Sequence, residues 1–165
     1  MMLYIRAMTD LGPEDVRRLA AALSLAVTSE DLAQSYLAKA RIRLKALALF
    51  RDEEDHSDVV REAQELVELA LKAMLRAVGI EPPKFHDVGD LLVEHRARFA
   101  PAVNERLPRA AEISTRLRRD RELAFYGDVD FIPTEQYTAA QAAQAYEDAA
   151  WVLALAEDAV GRVPE

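Results

Sequence analysis

The sequence predicts an all-α fold, an antiparallel up-and-down bundle of about four helices with an additional N-terminal helix. Glycine and proline are sparse, five and seven in 165 residues, and fall largely at the breaks between periodic stretches. Alanine, leucine, glutamate and arginine fill the intervals, where apolar residues recur at helical spacing and no alternating strand-like run competes. The connections are short, which makes consecutive helices antiparallel neighbours.

Taken in order, a short helix is expected after Pro13, running to about Val27. Ser29 then reads as the N-cap of the first bundle helix, with Glu30 and Asp31 in its first turn and Leu37, Ala40, Leu44 and Leu47 on one line, to about Arg51. Ser57 reads as the cap of the second, which runs to Gly79 as its C-terminal stop. There Val59, Ala63, Leu66, Ala70, Ala73 and Ala77 form one stripe, with Arg61, Glu65, Glu68, Lys72 and Arg76 opposite. Leu69, Leu71 and Leu75 widen the apolar coverage of its C-terminal half, as expected of a helix with several neighbours, another subunit among the candidates.

Past the double proline Pro82-Pro83, a short helix is expected from about Asp87 to Phe99. A long one should follow Pro108 and end near Tyr126, with Gly127 as its stop. The last should begin behind Thr138, carrying Ala142, Ala145, Ala149, Val152 and Ala156, with Trp151 and Leu155 beside them. Residues 1–28 are read as an N-terminal extension, with Met8 an alternative start, and residues 29–161 as the bundle. There is no internal repeat, low-complexity tract or domain linker.

Composition narrows the function. The chain has no cysteine, which excludes thiolate catalysis and Cys-based metal sites, and only three histidines, so no metal or cofactor is expected. Met1-Met2-Leu3-Tyr4-Ile5 is too short for a signal core, and no apolar run approaches the ~20 residues of a membrane span. A cytoplasmic protein without a membrane partner is the expectation. The net charge of −8 argues against broad nucleic-acid binding, so DNA is not expected as a partner and any RNA contact must be local.

The most informative stretch is Arg118-Arg119-Asp120-Arg121-Glu122-Leu123-Ala124-Phe125-Tyr126-Gly127-Asp128. Taking Leu117 as the stripe centre, Ala110, Ile113, Arg121 and Ala124 all fall within about 40° of it at ~100° per residue. An arginine in an apolar stripe must be paired, must line a polar cleft or must meet a partner, because desolvating its charge costs several kcal/mol.

These residues, with Tyr36-Leu37-Ala38-Lys39-Ala40, Asp58-Val59-Val60-Arg61-Glu62-Ala63, His86-Asp87-Val88-Gly89-Asp90-Leu91-Leu92 and Ile132-Pro133-Thr134, resemble the HEPN domains of prokaryotes over roughly Glu30 to Glu157. The resemblance implies an up-and-down helical bundle, usually a homodimer. It also implies one of two activities, a ribonuclease toxin or the partner of a separately encoded minimal nucleotidyltransferase in a toxin-antitoxin-like setting. The family's ribonuclease signature is an arginine, a polar residue next, and a histidine after four to six intervening residues. Arg121 and Glu122 match the first two positions, but Tyr126 stands where histidine would be. Histidine titrates near neutrality and can act on a ribose 2′-hydroxyl, while arginine stabilises the charge that develops on phosphorus. A phenol of ordinary pKa near 10 is a poor base at pH 7, so metal-independent cleavage is expected to be weak or absent.

The resemblance therefore implies a nucleotide- or RNA-facing cleft more securely than catalysis. Arg118, Arg119, Arg121, His86 and Asp128 are its candidate anion-binding or cleft residues, and Arg121, Glu122 and Tyr126 its degenerate catalytic set. Arg121 and Tyr126 lie about 140° apart on one helix, so a site using both would be composite, and the dimer implied by the family would bring two copies of Arg121 toward a shared axis.

Each residue also has a plainer reading. Arg121 is accounted for by a salt bridge to Asp120, Glu122 or an acid on another helix, and the arginine cluster that includes Arg116 by the negative end of its helix. His86 and Asp87 simply open a helix, and Asp128 and Asp130 are solvated turn residues rather than Mg²⁺ ligands. Arg51 and His56 also fit an arginine-histidine spacing, but lie in an acidic loop that repels phosphate. Three readings stay open: a non-catalytic module working with a nucleotidyltransferase, a ribonuclease toxin with a degenerate site, and a dimeric helical scaffold without a nucleotide ligand.

Overall fold

The computed structural model describes residues 12–84, 88–126 and 137–161, with side chains for all of these except 24–28 and 122–126. The elements are α1 (Pro13–Asp52), α2 (His56–Ala77), α3 (Val88–Glu94), a 3₁₀ turn (Arg96–Arg98), α4 (Pro101–Asn104), α5 (Leu107–Tyr126) and α6 (Ala139–Val160). No strand occurs among the described residues. The all-α expectation holds.

The first correction concerns Ser29, which caps nothing. α1 is one continuous helix of 40 residues, about 60 Å long, and the expected break at residues 28 and 29 is absent. No glycine or proline interrupts it after Pro13, and the Ser29 hydroxyl donates 2.7 Å to the Arg76 carbonyl at the end of α2, tying two helices together instead of ending one. α1 opens with Pro13 at its first position and Glu14 and Asp15 in its first turn, as the missing proline N–H and the helix dipole favour.

The second correction moves the cap of α2 from Ser57 to Asp55. The Asp55 carboxylate accepts from the Asp58 amide at 3.1 Å, and the Ser57 hydroxyl donates to the same carboxylate at 3.0 Å. Glu54, at φ 59°, makes the tight reversal from α1 that puts Asp55 in that position. α2 ends at Ala77, and Gly79, at φ 76°, provides the left-handed stop. The Ile80 amide closes back on the Leu75 carbonyl at 2.9 Å.

The helix expected over 87–99 is shorter and divides into α3 and the 3₁₀ turn, with α4 following as an element the sequence did not announce. α6 starts as expected: the Thr138 hydroxyl accepts from the Gln141 amide at 3.2 Å while the Gln141 side chain accepts from the Thr138 amide at 2.9 Å.

Cross-helix pairs fix the directions. Ser29 meets Arg76 and Arg43 meets Glu62, so α1 and α2 are antiparallel. Arg41 meets Glu157 while Arg51 stacks on Tyr146, so α1 and α6 are antiparallel. Arg106, Arg109 and Arg116 of the α4–α5 segment meet Asp158, Trp151 and Asp148 in turn, so α5 and α6 are antiparallel as well. The four long helices alternate up and down, and α2 is the central one, packed against α1, α3, α5 and α6. Its buried side chains, Val59 to Leu75, cover far more than one stripe, in keeping with several neighbours.

Leu66, fully buried in α2, should show the cost of a cavity at this centre. Leu66→Ala is expected to lower stability by about 3 kcal/mol, measured by urea denaturation at pH 7.

Candidate functional site

The C-terminal half of α5 carries the arginine cluster, and the structure sends its members to different places. Arg116 reaches across to Asp148 of α6, a carboxylate with only 4% of its side chain exposed, which also accepts from Gln144 at 3.1 Å. Arg119 is exposed and lines, with Asp90, Glu112, Thr115 and Arg116, an open groove of about 400 Å³. Two acids in that groove balance its two arginines. Arg118 and Arg121 turn instead toward α2.

Arg121 is half-buried, not enclosed. Its Nη1 donates to Gln64 Oε1 at 2.6 Å and to Glu65 Oε1 at 2.7 Å, with about a third of both charged side chains exposed. The acid on another helix is thus the partner that accounts for this arginine in an apolar stripe. Gln64 is buried and satisfied at both ends of its amide, since its Nε2 donates to Glu68 Oε2 at 3.1 Å. Glu68 in turn accepts from Lys72 at 2.5 Å. Arg121, Gln64, Glu68 and Lys72 therefore form one continuous polar chain along the α2–α5 contact, with Glu65 beside it.

Burial pushes the Glu68 carboxyl up, but the Lys72 ammonium, the Gln64 amide and the nearby Arg118 together outweigh it and hold the group below its ordinary value. At the other end, the Tyr137 hydroxyl donates 2.8 Å to the Asp120 carbonyl, fastening the start of the last segment to α5 next to Arg121. Burial, with the Asp120 charge second, raises the Tyr137 phenol above its ordinary value, so it stays protonated and donating at neutral pH.

Among the residues singled out from sequence, only Arg118 and Arg121 are brought together at this seam, and Arg119 faces away. His86, Asp128 and the side chains of Glu122 and Tyr126 lie outside the described residues. The residues that sequence reasoning missed are Glu65, Glu68 and Lys72, placed only on the helix face opposite the apolar stripe, and Gln64, which it did not single out. The available signal was Gln64 itself, a polar side chain beside Ala63 in the core stripe, which must find a hydrogen-bond partner when buried. No group of three or more metal-ligating side chains capable of holding an ion occurs among the described residues, and no described helix is long and apolar enough to cross a membrane.

Compared with protein families, residues 33–159 match the HEPN domain. The chain belongs to the HEPN domain family. The matched span takes in α2 through α5, the C-terminal half of α1 and nearly all of α6, so the polar seam at Arg121 lies within it and the first twenty residues of α1 precede it. No curated protein and no solved structure shows a significant match.

The depressed Glu68 carboxyl has a consequence for stability. A group whose folded-state pKa is below its unfolded value stabilises the fold above the unfolded pKa, and that contribution fades as pH falls through the folded one. Glu68→Gln in this HEPN domain is expected to be less stable than wild type at pH 7, by no more than about 1 kcal/mol for a part-exposed pair. The gap should narrow as pH falls below the ordinary glutamate value of about 4.3, as followed by thermal melts across the pH series.

Proposed function

We propose that this HEPN domain is a non-catalytic, nucleotide- or RNA-facing module that acts with a separately encoded minimal nucleotidyltransferase. The observation that carries the reading is the state of Arg121. Its charge is met within the chain by Glu65 and its guanidinium is oriented by buried Gln64, an arrangement that supports holding an anion in exchange for Glu65 and supplies no proton transfer. The sequence position where the family's ribonucleases have histidine is Tyr126, and an ordinary phenol is a poor base at neutral pH. The chain also has no glycine-serine loop with paired aspartates, so nucleotidyl transfer has to come from another polypeptide.

Purified protein is incubated with structured and single-stranded RNA, with and without Mg²⁺, beside Arg121→Ala, Tyr126→Phe and Glu65→Gln, and binding and cleavage are scored on the same samples. The expected result is no cleavage, weak binding lost in Arg121→Ala, and binding about fivefold tighter in Glu65→Gln, the value of one part-exposed ion pair. Cleavage that disappears in Arg121→Ala would instead make the protein a ribonuclease. Flat titrations for every variant would leave a helical scaffold. Copurification with a neighbouring nucleotidyltransferase, if encoded, tests the partner directly.

A further inference from the structure

α1 follows a seven-residue repeat on both sides of a single break at Glu30. Ala33, Leu37, Ala40, Leu44 and Leu47 occupy its two apolar positions inside the bundle, where all but Leu44 are fully buried and Leu44 packs against the core. The same two positions, continued toward the N-terminus, are Glu30, Ala26, Leu23, Leu19 and Val16. There the bundle has ended: α2 stops at Ala77, and Ser29 is the α1 residue that meets Arg76 of its last turn. Beyond the break at Glu30 the apolar seam resumes without a neighbour, leaving Val16 52%, Leu19 46% and Leu23 59% exposed. Large apolar residues held in register along an uncovered helix face are the pattern of a helix-pairing seam, because knobs at these positions need holes on a second helix.

We propose that this seam pairs with the same segment of a second copy, antiparallel, about a two-fold axis near residue 21. In this register Leu19 of each copy lies against Leu23 of the other, the alternation of positions an antiparallel pair requires. Its charge pattern supports the second copy as occupant. The register brings Gly12 and Pro13 of the second copy level with Ser29 and Glu30, at the mouth of a cleft of about 360 Å³ lined by Ser29, Glu30, Ala33, Arg76, Gly79 and Val160. The C-terminal ends of α2 and α6 lie at this cleft, so the positive end of the incoming α1 meets two negative helix ends and the Glu30 carboxylate. Glu14 of the second copy arrives level with residue 28, beside Arg76, whose Nε is buried without a hydrogen-bond partner.

The contact lies outside residues 33–159 matched to the family. It is also separate from the Arg121 seam, since Gln64 and Arg76 are twelve residues apart on α2, about 18 Å along the helix. A paired segment of about 24 Å with three large apolar side chains per copy is small for an interface, so a dissociation constant of order 10 µM is expected.

Sedimentation of the full chain across 1 to 100 µM (roughly the range bracketing that constant) is compared with Leu19→Glu/Leu23→Glu. The double variant should have half the mass of wild type at the upper concentration, with unchanged helical content, because both residues are exposed within one copy. The absence of native cysteine allows a register test. Oxidation of a mixture of Leu19→Cys and Leu23→Cys should give a cross-linked pair, while neither protein cross-links with itself. Equal masses for wild type and the double variant would overturn the proposal, and would mean that the seam is covered by residues 1–11 or by a different protein. Self-cross-linking of either single variant would overturn the antiparallel register.

Discussion

Everything in this bundle depends on the burial of α2. Its side chains from Val59 to Leu75 meet α1, α6, α5 and α3 in turn, and ten of them, from Val59 to Leu75, are apolar and essentially inaccessible. A helix surrounded in this way cannot use the usual division into an apolar and a solvated face. Its polar residues must therefore satisfy their hydrogen bonds against neighbouring helices. Gln64 and Glu65 do so with Arg121 of α5 and Glu62 with Arg43 of α1, while Glu68 accepts from Gln64 and Lys72 of its own helix.

The acidic surplus of the chain is distributed by the same constraint. Five arginines of α1 and of the α4–α5 segment reach across to an acid on α2 or α6: Arg43 to Glu62, Arg41 to Glu157, Arg106 to Asp158, Arg116 to Asp148 and Arg121 to Glu65. Exposed pairs of this kind add little stability individually. Their value lies in register, since each antiparallel contact is marked by complementary charges at matching heights. The pair at Asp148 differs from the rest, because its carboxylate is almost wholly removed from water and would be costly without Arg116 and Gln144.

What was legible in the sequence was what local chemistry decides. Thr138 and Gln141 form a reciprocal cap within four residues, and Gly79 supplies a left-handed stop that needs no partner, so both ends could be placed from sequence. Ser29 has the same short-range appearance as a cap, yet the helix runs through it, because its hydroxyl is claimed by Arg76, 47 residues away. The same distinction separates Arg121 from its partners. Periodicity identified an arginine on an apolar stripe, but a helical period reports which residues share a face and is silent on which helix that face will meet. Glu65 and Glu68 were accordingly placed only opposite the apolar stripe, although Glu65 meets Arg121 of α5.

The neutralisation of Arg121 bears on how selective the proposed ligand-facing role can be. With a third of each charged side chain exposed, the Arg121–Glu65 pair is worth well under the several kcal/mol of a buried one. A phosphate that engages the guanidinium through two N–H groups makes a stronger, charge-assisted contact than this single carboxylate oxygen. Glu65 thus acts as a threshold and not a block. A simple monovalent anion gains little by displacing it and also meets the repulsion of the freed carboxylate. A chain of phosphates, able to use Arg118 as well, recovers the loss in a second contact. On the proposed reading, an acidic protein with a pre-neutralised arginine is selective for polyanions of defined shape, because the net charge that would draw nucleic acid in indiscriminately is absent.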